Sequence, residues 1–323
     1  MHIRTEANKS SRIEGTKTSI EEDMSDIEDI SPEKRNDYIE VHNYINALNH
    51  GIYKITSGEL PISSRLIKEI HSILLRGVRG ENKYPGEYRI SQNWIGGSMP
   101  SNATHVPPPH FMLDELMSDL EKFMHNDDLK IPHLLKIAIL HYQFETIHPF
   151  SDGNGRVGRL LIPLYLLDKE MLKKPCFYIS NFFEKNRMDY YDCLSRVREK
   201  NDILTWILFF LNGVISTAQD AKNKFHQVVQ LVKEYENILN TLVKGSWENK
   251  ILNAFYNEPI LRVNQIIEKT NLSKATISNI LKSFIENKIL LEKKNDNNVE
   301  IKRNKQYILK KYLDIFSRGI EDS

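Results

Sequence analysis

Apolar residues recur at spacings of three and four from Ile39 almost to the C-terminus, while alternating runs are scarce. That period predicts a mainly α-helical chain. Tyr38, Val41, Tyr44, Ile45 and Leu48 form one apolar stripe; Leu66, Ile67, Ile70, Ile73 and Leu74 form another, preceded by Ser63 and Ser64 as candidate N-caps. Between Tyr84 and Pro109 the period fails under Pro85-Gly86, Gly96-Gly97, Pro100 and Pro107-Pro108-Pro109. A long irregular segment is expected there, and such segments tend to carry function. Within it, Tyr88 to Ile95 reads as a strand that turns at Gly96-Gly97 and returns near Thr104 to Val106, a short β-hairpin. Helical spacing resumes at Phe111. Residues 131–147 are apolar enough for a helix buried on most sides, and 160–169, 190–200, 203–215 and 225–242 read as further separate helices. Gly245-Ser246 closes this series, which places a domain boundary between about Gly213 and Gly245.

The C-terminal part reads differently. Ile251-Leu-x-Ala-Phe, Val263-x-x-Ile-Ile and Ala275-Thr-x-Ser-x-x-Leu-x-x-Phe284 predict three helices, the last two joined by the turn Thr270 to Ser273 as a helix-turn-helix. Ile289 to Leu291 and Tyr307 to Leu309 flank Lys293-Lys-Asn-Asp-Asn-Asn298, the pattern of a hairpin wing. From Leu261 to Tyr312 the chain holds twelve Lys and Arg against five Asp and Glu, a balance of +7. Such a balance favours phosphate contact, but winged helices also serve as protein-interaction or dimerisation modules, so DNA binding by 246–312 is one expectation of two. The resulting division is 1–35 as an N-terminal segment, 36–215 as a helical core, 216–245 as a helical linker and 246–323 as a winged helix-turn-helix domain.

Composition narrows the class without naming a function. A chain of 323 residues suggests about two domains, and 40% hydrophobic with 27% charged residues is ordinary globular composition. The longest apolar runs, Leu160 to Leu167 and Trp206 to Leu211, fall short of the ~20 residues that span a bilayer. The N-terminus lacks the apolar stretch of a secretory signal. A cytoplasmic location with no membrane partner is the expectation. Cys176 and Cys193 are too few for a disulfide framework or a thiolate zinc site and read as two small buried hydrophobes. The formal net charge of +1 hides an acidic stretch, Glu21, Glu22, Asp23, Asp26, Glu28 and Asp29, which reads as a solvated loop or helix start.

The densest chemistry lies in His148-Pro-Phe-Ser-Asp-Gly-Asn-Gly-Arg-Val-Gly-Arg159. Gly153-x-Gly155-x-x-Gly158 has the letters of a dinucleotide-binding fingerprint, but that fingerprint needs a strand before it and an acidic residue about 20 positions on. A long helical block precedes it here, and Tyr178 stands near the required position. His133, His141 and His148 share a helical face, yet separations of eight and seven residues hold their backbones about 10–12 Å apart, too far for one zinc. A phosphate cradle accounts for all the residue types at once. Gly153 and Gly155 allow backbone N–H groups to face an anion, and the following helix adds its N-terminal partial charge. Arg156 and Arg159, three apart, can reach phosphate oxygens together. Asp152 suits Mg²⁺, which takes carboxylate with phosphate oxygens and water. His148, with an ordinary pKa near 6.5, suits removal of a proton from an attacking hydroxyl.

At these twelve residues the chain resembles the Fic family, whose signature His-x-Phe-x-Asp-Gly-Asn-Gly-Arg-x-x-Arg is matched at every defining position. The resemblance covers about Ser10 to Ile215 and implies a Fic helical core with a short β-hairpin flap. It implies a protein adenylyltransferase that moves AMP from ATP to a Ser, Thr or Tyr hydroxyl of a protein, with Mg²⁺. His148 would be the base, Phe150 a core anchor and Asp152 the metal ligand. Asn154 and the loop amides would hold the α- and β-phosphates, and Arg156 and Arg159 the β- and γ-phosphates. Gly153, Gly155 and Gly158 belong to the same ATP site, as do Ile95, Gly96 and Gly97 of the flap, with Tyr190 facing the nucleotide and Arg198 two turns later on the same helix.

Two further segments carry the resemblance. Ser10-Ser-Arg-Ile-Glu14-Gly15 looks like the family's inhibitory motif, in which Glu14 pairs with Arg159 and draws it off the γ-phosphate. The segment 86–109 looks like the flap that docks the protein substrate as an added strand. Self-modification, a homodimer and removal of AMP with Glu14 orienting water are all compatible with the family. A second reading, of another class, is a DNA- or partner-binding regulator whose nucleotide site only senses ATP.

Overall fold

The computed structural model describes all residues except 79, 175, 243–245, 294–304 and 318–323. Its contacts divide the chain into two units, one of residues 2–19 and 30–219, the other of residue 1, 20–29 and 220–323. This differs from the division drawn from sequence: 1–35 is not one segment, and the second unit begins at 220.

In the first unit the apolar stripes become helices α1 (His2–Ile13), α3 (Arg35–Thr56), α4 (Ser64–Leu74), α5 (Leu113–His125), α6 (His133–Ile147), α7 (Asn154–Asp168), α8 (Ser180–Lys185) and α9 (Arg187–Lys200). Ser63 caps α4 by accepting the Leu66 N–H at 3.3 Å, a contact of the kind worth about 1 kcal/mol. The core is centred on α6 and α7, where Phe144, Ile147, Val157, Leu160, Leu164 and Tyr165 are almost wholly buried with Tyr44, Leu48, Ile70 and Leu74 from α3 and α4. Helix α1 buries an unusual set of polar residues, Glu6, Asn8, Lys9, Ser10 and Ser11. Glu6, Lys9 and Asn8 have polar partners in the same unit: Ser180 Oγ donates to Glu6 Oε1 at 2.5 Å, Lys9 Nζ to Glu184 Oε2 at 2.9 Å, and Asn8 Nδ2 to Thr18 O at 2.7 Å. Apolar packing alone does not seat this helix.

The expected helices at 203–215 and 225–242 are one helix, α10 (Ile203–Leu242), unbroken through the expected linker. No Pro lies in the intervening stretch, and Gly213 alone does not stop a helix packed through Trp206 and Phe210, both fully buried. By length and composition α10 is sufficient to cross a bilayer, contrary to the reading from shorter apolar runs. Its Trp206 Nε1 donates to Ala138 O at 2.9 Å within the core. Cys193 is buried, whereas Cys176 is half-exposed.

In the second unit, α11 (Ser246–Asn257), α12 (Val263–Thr270) and α13 (Lys274–Glu286) pack with the later part of α10 around Tyr235, Phe255, Ile277 and Phe284. A three-stranded antiparallel sheet of β1 (Ile260–Arg262), β2 (Leu291–Glu292) and β3 (Gln306–Ile308) has the order β1-β3-β2, and α14 (Lys310–Ser317) follows. Neither β1 nor α14 follows from the sequence pattern: a three-residue strand leaves no period to read, and α14 spans only about two turns. The expected wing at 294–298 lies outside the described residues. The acidic stretch begins in the short helix α2 (Ile20–Asp23), where Asp23 is buried beside Ile20, and Glu28 and Asp29 beyond it are exposed.

Candidate active site

The loop between α6 and α7 begins at a left-handed residue. His148 has φ 49°, and its N–H still donates to Phe144 O at 2.9 Å, so α6 ends and the chain reverses in one step. Left-handed backbone at a non-glycine residue is uncommon and is sustained only by its surroundings. Here the surroundings are Phe150, fully buried and stacked on His71 with ring centroids 3.7 Å apart, and Arg89. Arg89 is 2% exposed; its Nε donates to His148 O at 3.0 Å, and its Nη atoms to Ser91 O and Pro108 O. One guanidinium thus ties both limbs of segment 86–109 to the residue where the loop begins. His71 adds a second tie, accepting the Gly86 N–H at Nδ1 (2.8 Å), while its Nε2 donates to Asp152 O (3.0 Å). Burial holds its pKa down to about 4, consistent with that neutral tautomer.

The segment 86–109 is not the expected hairpin of two strands. It is coil with one 3-10 turn, Pro100–Asn102, its two limbs joined by a single antiparallel bridge, Ile95 to His105. Its carbonyls are taken by side chains rather than by a ladder, Ser91 O and Pro108 O by Arg89 and Pro107 O by Gln92 Nε2 at 2.8 Å, while Asn93 donates to Phe150 O of the loop at 3.2 Å. Gly96 and Gly97 turn it at φ 70° and 67°. His105 Nε2 lies 2.9 Å from Thr146 O, so the bridge of Ile95 sits beside the end of α6, two residues before His148. The structure brings these flap residues to the loop's approach.

Gly153 supplies φ 78° at the N-cap of α7, and the first-turn amides of the helix have no acceptor within it. Asp152 keeps 43% of its side chain exposed and accepts the Gly153 N–H at 2.6 Å. Asn154 departs from its expected role. Its Oδ1 accepts the Phe150 N–H and its Nδ2 donates to Phe150 O, both at 2.8 Å. The amide side chain is committed to bracing the loop, which leaves only its backbone N–H for an anion. Gly158 also lies elsewhere: a methyl group there would sit 2.4 Å from Glu145 Oε1, and its carbonyl accepts from His141. It is a close approach of α7 to α6, away from the cradle.

Gly155 is the informative glycine. A methyl group at that position would lie 2.4 Å from Glu14 Oε1 and 3.0 Å from Arg159 Nη1. The Glu14 carboxylate therefore rests on the cradle where an anion would bind. Arg159, 1% exposed, donates from Nε to Ser10 Oγ (2.9 Å) and from Nη2 to Ser10 O (3.0 Å) and Glu14 Oε1 (2.5 Å). Burial pushes the Glu14 carboxyl up, but Arg159, then Arg156 and His148, outweigh it and hold it below the ordinary range. Burial likewise works against the Arg159 charge, and Glu14 more than restores it. Arg156 is held by Glu40, with Nη1 to Oε2 3.2 Å and both side chains buried.

His148 is depressed to about 4, chiefly by burial and against the pull of Glu14, and its Nδ1 has no hydrogen-bond partner. It is a neutral imidazole with a free ring nitrogen, the state a proton acceptor requires. Tyr190 does not face this space. It is fully buried among Phe183, Trp206 and Phe209, with its hydroxyl 2.9 Å from His141 Nε2. Its neighbour Tyr191 is 37% exposed, feels the charges of Glu14 and Arg159, and lies seven residues before Arg198, the spacing that shares a helix face. Arg198 reaches the end of α6, with Nε 3.3 Å from Thr146 Oγ1 and Nη2 3.3 Å from Glu145 O. His133 pairs with the Tyr165 hydroxyl at 2.9 Å. Among the described residues no group of three His, Cys, Asp or Glu could hold a metal. A single half-exposed carboxylate at Asp152 suits a cation that draws its remaining ligands from phosphate and water.

Arg89, His71, Glu40, Glu145 and Tyr191 were missed from sequence. Each is an isolated polar residue in an unremarkable context, and only Tyr191 had a usable signal, its i, i+7 phase with Arg198.

The profile of the Fic/DOC family matches residues 61–166, and that of the Fic/DOC family N-terminal region matches residues 1–53. A protein adenylyltransferase Fic of Aedes aegypti is 35% identical over 149 residues, 46% of this chain and 27% of that protein. A probable protein adenylyltransferase of Aquifex aeolicus is 30% identical over 187 residues, 58% of this chain and 52% of that protein. The chain thus spans from about a quarter to about half the length of these curated relatives. Among solved structures, a Fic family protein from Desulfovibrio desulfuricans G20 aligns with a TM-score of 0.56 at 21% identity, covering 95% of this chain and 86% of that one. A Fic-domain signaling protein from Bacteroides thetaiotaomicron VPI-5482 aligns with a TM-score of 0.55 at 21% identity, over 68% of this chain and 85% of that one.

Proposed function

We propose that this chain, which belongs to the Fic/DOC family, is a protein adenylyltransferase that transfers AMP from ATP to a protein hydroxyl and is held inactive by Glu14. The observation that carries the reading is the Glu14 carboxylate lying on Gly155 with Arg159 clasped to it, an anion of the protein's own in a cradle suited to a phosphate. The relatives named as protein adenylyltransferases support the same chemistry.

In the reaction, the unpartnered nitrogen of His148 accepts the proton of a Ser, Thr or Tyr hydroxyl. The hydroxyl oxygen forms its bond to the α-phosphorus as the bond from that phosphorus to the bridging oxygen breaks, and diphosphate leaves. Positioning and charge neutralisation supply the catalysis, since little covalent work falls to the protein. The α7 first-turn amides at Gly155 and Arg156 hold phosphate oxygens, and Arg159 takes the terminal phosphate once Glu14 withdraws. Asp152 would hold Mg²⁺, which would neutralise phosphate charge. The bridge at Ile95 and His105 presents backbone beside His148 on which an extended target segment aligns. Glu14 near His148 also suits orientation of a water in the reverse reaction, removal of AMP.

Two results test this. With Glu14→Gly protein, label from α-labelled ATP enters protein while label from γ-labelled ATP does not; incorporation of the γ label would mean a kinase-type transfer instead. The acid limb of kcat/KM, which reports the free enzyme's base, falls below about pH 5 rather than near 6.5. The sign follows from burial: His148 stays neutral until the pH drops toward about 4, and losing Glu14, whose charge raises that pKa, moves the limb lower still. A limb near 6.5 would mean an exposed imidazole.

A further inference from the structure

Between the inhibitory helix α1 and helix α3 the chain leaves the first unit at Ser19, contributes residues 20–29 to the second, and returns at Ile30. Within the second unit that excursion is thoroughly held. Ile20 is 3% exposed and packs with Ile260, Ile308 and Leu313, with Met24 against the same cluster. Arg262 at the end of β1 pairs with Asp26 at 2.6 Å and also with Asp29. Gln306 of β3 donates to Asp29 at 3.1 Å, Lys293 to Ser25 Oγ at 3.2 Å, and Lys310 of α14 pairs with Glu21 at 2.8 Å. An apolar anchor followed by acids that meet Arg262, Gln306 and Lys310 is the pattern of a bound peptide ligand, here supplied by the chain itself. Met1, directly before α1, packs against the same apolar cluster.

The link from this segment to Glu14 is short. Only residues 15–19 intervene, a span of at most about 20 Å between Glu14 and Ile20. Within the first unit, Thr16 and Thr18 are buried, Asn8 of α1 donates to Thr18 O at 2.7 Å, and the Lys17 N–H to Asp37 at 2.7 Å. The end of α1 that bears Glu14 is therefore separated from the docked acidic segment by five residues, of which Thr16 to Thr18 are held in the first unit.

We propose that residues 20–29 are a strap by which the C-terminal unit keeps the inhibitory helix seated, and that an acidic peptide of a partner protein, with an apolar residue ahead of its carboxylates, competes for the Arg262, Gln306 and Lys310 face and so loosens Glu14 from Arg159. This rests on the proposed function for its consequence, though not for the docking itself. The strap's Ile20 fills the apolar site and its aspartates satisfy Arg262, so a competitor must supply both elements. Polyanions lacking the apolar anchor bind this face more weakly.

The test uses the full chain with Asp26→Asn and Asp29→Asn together, on exposed strap side chains, and separately Arg262→Gln, with thermal melts establishing that each is folded. Amide exchange of residues 2–13 is measured alongside AMP incorporation. Both variants are expected to exchange these amides at least about tenfold faster than wild type, and a synthetic peptide of residues 18–31 added in excess does the same to wild type. Incorporation rises severalfold in the variants, and where Glu14→Gly is already present the strap substitutions add nothing further. Wild-type exchange in either folded variant overturns the strap. Faster exchange with unchanged incorporation upholds the strap and overturns Glu14 as the inhibitor, which keeps the two failures apart.

Discussion

A His148→Ala variant made in the Glu14→Gly background incorporates AMP about a thousandfold more slowly than Glu14→Gly alone, with ATP affinity nearly unchanged. The magnitude follows from what alanine removes. General-base catalysis contributes typically 10²–10⁴-fold, and no second base replaces it: Glu145 is the nearest buried carboxyl along the chain, but its Oε1 is packed against Gly158 of α7. ATP affinity is spared because His148 makes no contribution to the phosphate cradle formed by Gly155 and the α7 amides. The backbone should hold as well, since the tie to Arg89 uses the His148 carbonyl and not its ring. Measured by single-turnover incorporation and ATP titration on the same preparations, a loss of less than about tenfold would place the base elsewhere.

Glu14→Gly raises incorporation about tenfold to thirtyfold over wild type. A hydrogen bond between charged groups is worth about 1.5–3 kcal/mol. Glu14 retains 35% exposure, so solvent screening argues for the lower part of that range, or about one to one and a half decades in the open population. The substitution also clears the carboxylate from above Gly155. Two effects then act together, since Arg159 is released and the anion cradle is vacated. Arg159 keeps its contacts to Ser10, which bounds the gain, because α1 still has to shift for that guanidinium to turn. The rate of incorporation in the two proteins at saturating ATP decides it, and equal rates would remove Glu14 from regulation.

The site was legible where its parts are contiguous. His148, Asp152, Gly153, Gly155, Arg156 and Arg159 lie within one loop and one helical turn, so residue type and spacing together express the chemistry. Asn154 shows the limit of that legibility: an amide that could face a phosphate is equally able to brace its own loop, and only the bonds to Phe150 decide. Tyr190 and Tyr191 differ by 100° on a helix; the i, i+7 phase with Arg198 favours Tyr191, and the packing of Phe183 and Trp206 on Tyr190 shows which of the two is core. Arg89 and His71 act through partners about 60 to 80 residues away, a relation with no local trace. Helices were readable from their period. The continuity of α10 and the docking of residues 20–29 were not, because each depends on what the rest of the fold places opposite an otherwise ambiguous stretch.

The central claim is that removing Glu14 from Gly155 and Arg159 frees a site that adds AMP to protein hydroxyls. Intact-mass measurement of wild type and Glu14→Gly after incubation with ATP and Mg²⁺ tests it most directly, because it weighs whatever group is transferred. The account predicts that Glu14→Gly gains the mass of one or more AMP groups while wild type gains little. A Glu14→Gly protein of unchanged mass that also adds no AMP to other proteins, or one that gains only phosphate, would contradict it.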